Sequence, residues 1–201
     1  MDDFCLFLKK IIGKIDSLFL GVIEEELIKR SVKQLEFRLD GVIGDRHAGF
    51  ERVTWEGDDK QVANTLRRNE RQWSAVSSEE LDEISEKMNL RVPLNAGDIG
   101  ANFCVSGANN FSKLPKGTIF KFDSGVELIV EEYNPPCLGM SKNLAQKILD
   151  KNGNVLDIQE KNTRKLLNNT FNFYKHSDHE KCKYVYTYMT IWDTLYQSTK
   201  Y

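Results

Sequence analysis

The chain has 201 residues, 40% of them hydrophobic and 29% charged, which suits one domain or a core with an appendage and needs neither disulfides nor a metal for stability. Its 28 Lys and Arg against 30 Asp and Glu give a net charge of −2, without the basic footprint of a dedicated nucleic-acid binder or the charge blocks of a disordered tail. Cys5, Cys104, Cys137 and Cys182 form no CxxC pair, which argues against a zinc ribbon, a thioredoxin-type motif or a secreted disulfide framework.

Lys9, Lys10 and Lys14 interrupt the first apolar run behind Asp2 and Asp3, so no signal peptide is expected. No window holds the roughly 20 consecutive apolar residues of a membrane span. A soluble protein of a reducing, cytoplasmic compartment is expected.

In chain order, an amphipathic stretch with Phe4, Leu8, Ile11 and Ile12 leads to Gly13, and Lys14 to Leu20 reads as a first strand. Residues 24–30 form a charged connection. Lys33 to Leu39 alternates, with Leu35, Phe37 and Leu39 on one face, the period of a half-buried strand. Asp40-Gly41 ends it. Residues 44–73 show little period and read as a long loop of the functional kind. A helix is expected near 78–89, with Ser77 and Glu80 as a capping box and Leu81, Ile84 and Met88 as its stripe.

Ala101 to Ser106 reads as a short strand. Thr118 to Asp123 and Val126 to Glu132, joined at Ser124-Gly125, read as a β-hairpin. Pro135-Pro136 stops its second strand. A helix over 141–150 starts at Ser141 and ends at Asn152-Gly153-Asn154. Tyr184, Tyr186, Tyr188 and Trp192 read as a late strand. The tally is a β-rich domain with helical decoration.

Four constellations carry chemical potential. Gly44-Asp45-Arg46-His47-Ala48-Gly49 places an acid, a cation and an imidazole on one loop after a strand. Its glycines permit unusual backbone geometry and close ligand approach; the plainer reading is a turn in which Asp45 and Arg46 pair locally. Arg67, Arg68 and Arg71 form the densest cationic patch, suited to one small phosphate or carboxylate, unless Glu70 and solvent satisfy it.

Cys137 follows Pro135-Pro136 and precedes the helix expected from Ser141, where the helix dipole favours a thiolate. Cys104 and Cys5 read as structural. His176, His179 and Cys182 repeat at a spacing of three, but no clear fourth ligand closes a zinc site, so no metal is expected there.

These motifs occur in the order Gly41-Val-Ile-Gly-Asp-Arg-His-Ala-Gly49, Arg71-Gln-Trp-Ser with Ser78-Glu-Glu-Leu81, Gly100-Ala-Asn-Phe-Cys-Val-Ser-Gly107, Leu114-Pro-Lys-Gly-Thr118 and Pro135-Pro-Cys137. In that order and spacing the chain resembles the MOSC domain, the C-terminal domain of molybdenum cofactor sulfurases, which also occurs alone in small bacterial proteins and in amidoxime-reducing enzymes. The resemblance covers residues 13 to about 150.

It implies a mainly β fold, a MOSC-type β-barrel with a few peripheral helices. The domain would span 13–160, after an extension over 1–12 and before a divergent segment over 161–201 packed on the barrel. The family's conserved cysteine falls on Cys137, which in relatives carries a persulfide or ligates the molybdenum of a bound molybdopterin. Asp45, Arg46, His47, Gly49, Arg67, Arg71 and Asn102 would surround that cofactor. The soft thiolate suits molybdenum or sulfane sulfur. Ala101 stands where the family has Glu, so a pocket carboxylate is expected to be missing there, and the family's Gly-rich terminal strand is not recognisable after residue 155.

Two functions follow from the resemblance. One is a molybdenum-cofactor-dependent reductase of N-hydroxylated compounds, with Cys137 as metal ligand and an electron-transfer protein as partner. The other is a sulfur carrier that accepts a persulfide on Cys137 from a cysteine desulfurase. Pyridoxal phosphate then enters only through that partner. Both imply a small-molecule substrate, no nucleic acid and no membrane span.

Overall fold

Alternating burial sets the central strand. The computed structural model describes residues 8–56, 61–131, 134, 139–140, 143–144, 149–153, 186–192 and 196–197. Strand β1 (Leu8–Leu20) buries Gly13 and Ile15 and exposes Lys10, Ile12 and Lys14, the period of two that sheet pairing demands. At Asp16 the register slips by one residue against its neighbour. That bulge lets Ile15 and Leu18, three apart, enter the same core cluster.

The other strands are β2 (Arg30–Val32), β3 (Glu36–Arg38), β4 (Gly41–Val42), β5 (Glu51–Val53), β6 (Leu66–Arg68), β7 (Ala75–Ser77), β8 (Phe103–Ser106), β9 (Ile119–Phe122), β10 (Glu127–Ile129), β11 (Tyr186–Trp192) and β12 (Tyr196–Gln197). One sheet runs β10-β9-β11-β1-β8-β7, with β2 beside β1. On one edge β1 pairs with β8, antiparallel. On the other it pairs with β11, parallel, over Leu8–Lys14, and then with β2 over Leu18–Leu20. A three-stranded sheet, β12-β3-β4, and the ribbon β5-β6 complete the pairing. The described part is mainly β, with one fully described α-helix and further helical residues at 139–140 and 143–144, and its pairings follow an open path.

Around β8 both faces of the main sheet are covered. Phe103 and Val105 of β8, both fully buried, join Leu18, Phe37, Phe111, Phe120 and Phe122 in one cluster. Cys104, between them, joins Phe19, Val76, Leu81, Ile84 and Met88 in the other. Helix α1 (Ser78–Lys87) covers this second face, and burying each large apolar side chain contributes about 1.5–3 kcal/mol. Its expected stripe of Leu81, Ile84 and Met88 is buried throughout.

Ser77 caps α1 by accepting the Glu80 N–H, but the Glu80 carboxylate reaches across to Ser112 instead of completing the box. The reciprocal box stands at Asn95 and Asp98, at the start of the 3₁₀ turn Ala96–Ile99. Among the described residues no helix is long and apolar enough to cross a membrane.

Several expectations change. The first strand begins at Leu8 because its leading half has β11 as partner. The strand expected over 33–39 narrows to Glu36–Arg38; Leu35 and Phe37 are buried, but Leu39 is 90% exposed at the turn into Asp40. The long loop 44–73 contains the antiparallel ribbon β5-β6. The hairpin is present as β9-β10, and the late strand as β11. The helix expected over 141–150 is present in part, with residues 139–140 and 143–144 helical, but it does not reach 150, since Asp150 bridges to Leu90. Ser141, Tyr184, His176, His179 and Cys182 lie outside the described residues.

Candidate functional site

The loop after β4 is built by its glycines and by Asp45. Gly44 takes φ +78° and Gly49 φ +141°, a region that penalises any side chain. Between them Asp45 folds back in an Asx turn, its Oδ1 accepting the His47 N–H at 3.0 Å. The same oxygen lies 3.0 Å from His47 Nδ1. Its Oδ2 accepts from Lys29 Nζ at 2.8 Å, Asn102 Nδ2 at 2.8 Å and the Gly21 N–H at 3.1 Å. Burial opposes the charge on Asp45, yet the His47 hydrogen bond and the Lys29 ammonium outweigh it and hold the carboxyl well below the usual carboxylate range. Asp45 therefore pairs with Lys29 and His47 and not with Arg46.

Asn102 closes this buried network. Its Oδ1 accepts from Lys29 Nζ at 2.9 Å and from the Ser74 N–H at 3.1 Å, and its Nδ2 also donates to the Phe19 carbonyl at 3.3 Å. Asn102 is 1% exposed and Asp45 5%, so both hold the loop from beneath. Arg46 runs along the surface and donates to the Ile23 carbonyl at 3.2 Å and to the Glu26 carbonyl.

Asn69, which sequence reasoning passed over, links this loop to the arginine segment. Its Nδ2 donates to the His47 and Gly49 carbonyls at 2.7 and 2.9 Å, while its Oδ1 accepts the Arg71 N–H at 3.0 Å. A polar residue in a polar run gives no sequence signal of burial, yet Asn69 is 5% exposed.

The arginines divide into two kinds. Arg67 pairs with Glu70 at 2.9 Å, which also takes Arg52 at 3.0 Å. Burial raises Glu70's affinity for a proton, but the Arg52 hydrogen bond and both guanidinium charges keep it below the usual range. Arg68 grips Glu131 with two bonds, at 3.0 and 2.9 Å. Arg71 differs: its Nε is buried without a hydrogen-bond partner among the described residues. An unpaired buried donor is costly.

Arg46, His47 and Arg71 line one cleft of about 380 Å³, whose walls include Trp73, Phe111 and Phe120. That volume lies within the small-molecule range of about 300–1,000 Å³. Trp73 and Phe111 both pack on Phe120, with ring centroids at 5.7 and 5.5 Å. Asp45, Gly49, Asn102 and Arg67 do not line it. Ala101 does, and Glu80 brings a carboxylate to the same wall. Glu80 accepts Ser112 N–H and O–H at 3.0 and 2.6 Å. Its burial still outweighs those bonds and pushes its carboxyl above the usual range.

Of the thiols, buried Cys104 is pushed up to about 12 by burial and by nearby Asp16, Glu79 and Asp82, which makes it inert at neutral pH. Cys137 lies outside the described residues, but Asn134 and Met140, three residues to either side of it, both line the cleft. Among the described residues no group of three or more His, Cys, Asp or Glu is placed to hold a metal ion.

Comparison with known proteins bears on this cleft. A family model described as "MOSC domain" matches residues 54–175, which include Arg67, Arg71, Asn102 and Cys137. A protein of Bacillus subtilis (strain 168) named "Putative metal-sulfur cluster biosynthesis proteins YuaD" is 31% identical over 130 residues, or 65% of this chain and 67% of the relative. A crystal structure of the YuaD protein from Bacillus subtilis matches with a TM-score of 0.65 at 24% identity, covering 79% of this chain and 81% of the other; at that identity it speaks for the fold alone.

Proposed function

The chain belongs to the MOSC domain family, and from that premise we propose that the cleft binds molybdenum cofactor in an enzyme that reduces N-hydroxylated compounds. The observation that carries this reading is the buried Nε of Arg71, without a partner among the described residues, on a cleft that Arg46 and His47 also line. A phosphate supplies the acceptor that this donor lacks, and Arg binds it through two parallel bonds. These residues therefore fit the phosphate end of the cofactor. Asp45, Asn102, Asn69 and Gly49 hold that rim in place, and Arg67 fixes Glu70 beside it.

Cys137 is the proposed molybdenum ligand. Three peptide links of about 3.8 Å keep its Cα within roughly 11 Å of Asn134 and of Met140, both on the cleft wall. A thiolate is the soft ligand such a metal takes. The bound cofactor would supply two-electron redox chemistry at its metal, fed by an electron-transfer protein. In this reading residues 13–160 form the family's barrel, the segment 161–201 packs against it, and the protein works in the cytoplasm without nucleic acid.

A second reading is favoured by the name of the curated relative, which refers to metal-sulfur cluster biosynthesis. Here Cys137 carries a persulfide received from a cysteine desulfurase, and pyridoxal phosphate stays with that partner. Elemental analysis and pterin fluorescence of protein purified from cells that make the cofactor decide between them. Stoichiometric molybdenum and pterin, lost in Cys137→Ser and reduced in Arg71→Ala, are expected; cyanide-labile sulfur on Cys137 without molybdenum would establish the second reading instead.

A further inference from the structure

We propose that His47 is the proton-accepting side chain of this cleft, held by Asp45 with its Nδ1–H on the carboxylate and its Nε2 turned to the ligand. The inference rests on the cleft being the binding site; it adds a chemical role to a residue so far treated only as part of the rim.

Three anchors fix His47. Its N–H donates to Asp45 Oδ1 at 3.0 Å, its carbonyl accepts from Asn69 Nδ2 at 2.7 Å, and its Nδ1 sits 3.0 Å from the same Asp45 oxygen. The other carboxylate oxygen is saturated by Lys29, Asn102 and the Gly21 N–H. Asp45 therefore cannot rotate away from the imidazole without breaking buried bonds.

The direction of the ring hydrogen bond follows from the chemistry of its partners. An ionised carboxylate only accepts, and Asp45 is held ionised by His47 and Lys29 against the cost of burial. Nδ1 must then carry the hydrogen. In a neutral imidazole that leaves Nε2 as the acceptor, and it has no other partner among the described residues. Lys29 already matches the Asp45 charge at 2.8 Å, so the pair orients the ring without adding net negative charge beside Arg46 and Arg71. A fixed carboxylate, an oriented imidazole and a free ring nitrogen on a cleft wall form the arrangement of a general base. The group served is an exchangeable O–H, N–H or S–H on a small anion anchored by Arg71.

The test uses the full-length protein labelled with ¹⁵N-histidine, which contains three His, with the His47 signals assigned from their loss in His47→Gln. Long-range ¹H–¹⁵N spectra should show the Nδ1-protonated form, and diethyl pyrocarbonate should acylate His47 in the folded protein. In Asp45→Asn the side-chain amide can donate to Nδ1, so the tautomer should invert and the acylation rate at His47 fall by about tenfold or more, as a wrong tautomer costs such pairs dearly. Should Asp45→Asn not fold, the wild-type tautomer and acylation decide alone.

A wild-type His47 protonated on Nε2, or one acylated only after unfolding, overturns the inference. Inorganic phosphate should also slow acylation of the wild type. If it does not, while the Nδ1 tautomer is present, the anion-site reading fails and the proton-accepting His47 stands.

Discussion

Lys29 and Asp45 form an ion pair of 2.8 Å with side chains 1% and 0% exposed, so the loop that carries the cleft's imidazole is fastened to the core by two charges with no access to water. Such a pair gains little over an apolar one, but breaking it by removing one partner costs about 3–5 kcal/mol. Asp45→Ala should lower stability by that amount in a urea melt, because buried Lys29 loses its counter-charge. A loss below about 1 kcal/mol would mean that Lys29 finds another acceptor or sheds its proton.

The same pair sets an acid limit. The folded-state proton affinity of Asp45 lies below that of the unfolded chain, so its contribution is fully present above an unfolded value of about 3.9. It is lost as pH falls through the lower, folded-state value. Melting temperature should drop steeply below about pH 4 in the wild type, and the drop should be shallower in Asp45→Asn.

Glu80 carries the opposite sign. Burial raises its folded-state affinity for a proton, so its contribution is present below about 4.3 and is lost as pH rises through the raised value. Glu80→Gln keeps an acceptor for Ser112 and removes the charge. The variant's melting temperature should gain on the wild type between pH 4 and pH 7; equal slopes would show that the Glu80 charge is solvated.

The β1 side of the core depended on patterns that local chemistry imposes, and these were legible. Ile15, Leu35, Phe37, Leu81, Ile84 and Phe103 sit at periods of two or of three and four, and each is buried. The ribbon β5-β6 escaped because Val53 and Leu66 are exposed while Arg52 and Arg67 turn to Glu70, which reverses the usual alternation. In the cleft, Arg46, His47 and Arg71 could be picked out as charged residues in motifs. That Asp45 faces Lys29 was not legible: the two are 16 residues apart, and no local rule pairs them. Asn69 was invisible for the same reason, since its three partners meet only once the loops have folded.

Asn69→Ala tests that missed link. It should strand the Arg71 N–H and free the His47 carbonyl, while the Gly49 carbonyl keeps Gln72 Nε2 at 3.1 Å, at about 1–3 kcal/mol in stability. Phosphate binding should weaken with it, because Arg71 loses its fixed backbone. Full phosphate affinity in a destabilised, folded Asn69→Ala would show that Arg71 is positioned by other means.

Gly97 offers a steric test away from the cleft. A Cβ there would come within 2.5 Å of both the Lys29 carbonyl and the Phe19 ring. Gly97→Ala should therefore cost about 1–3 kcal/mol by overpacking, read as a lowered midpoint in denaturant. An unchanged midpoint would require the segment carrying Lys29 to move aside freely.

The strand β11 lies between β1 and β9 and runs parallel to both, although β1 and β9 are made long before it. On a ribosome adding roughly 5–20 residues per second, β1 waits on the order of ten seconds or more for the partner of its leading half. In that interval two strand edges that will be interior stay unpaired, and unpaired edges recruit other chains. The sheet closes by receiving a late strand into its middle, a topology that folds slowly because its most distant contacts form last. Nascent chains still waiting for β11 are the species whose open edges this topology exposes to aggregation.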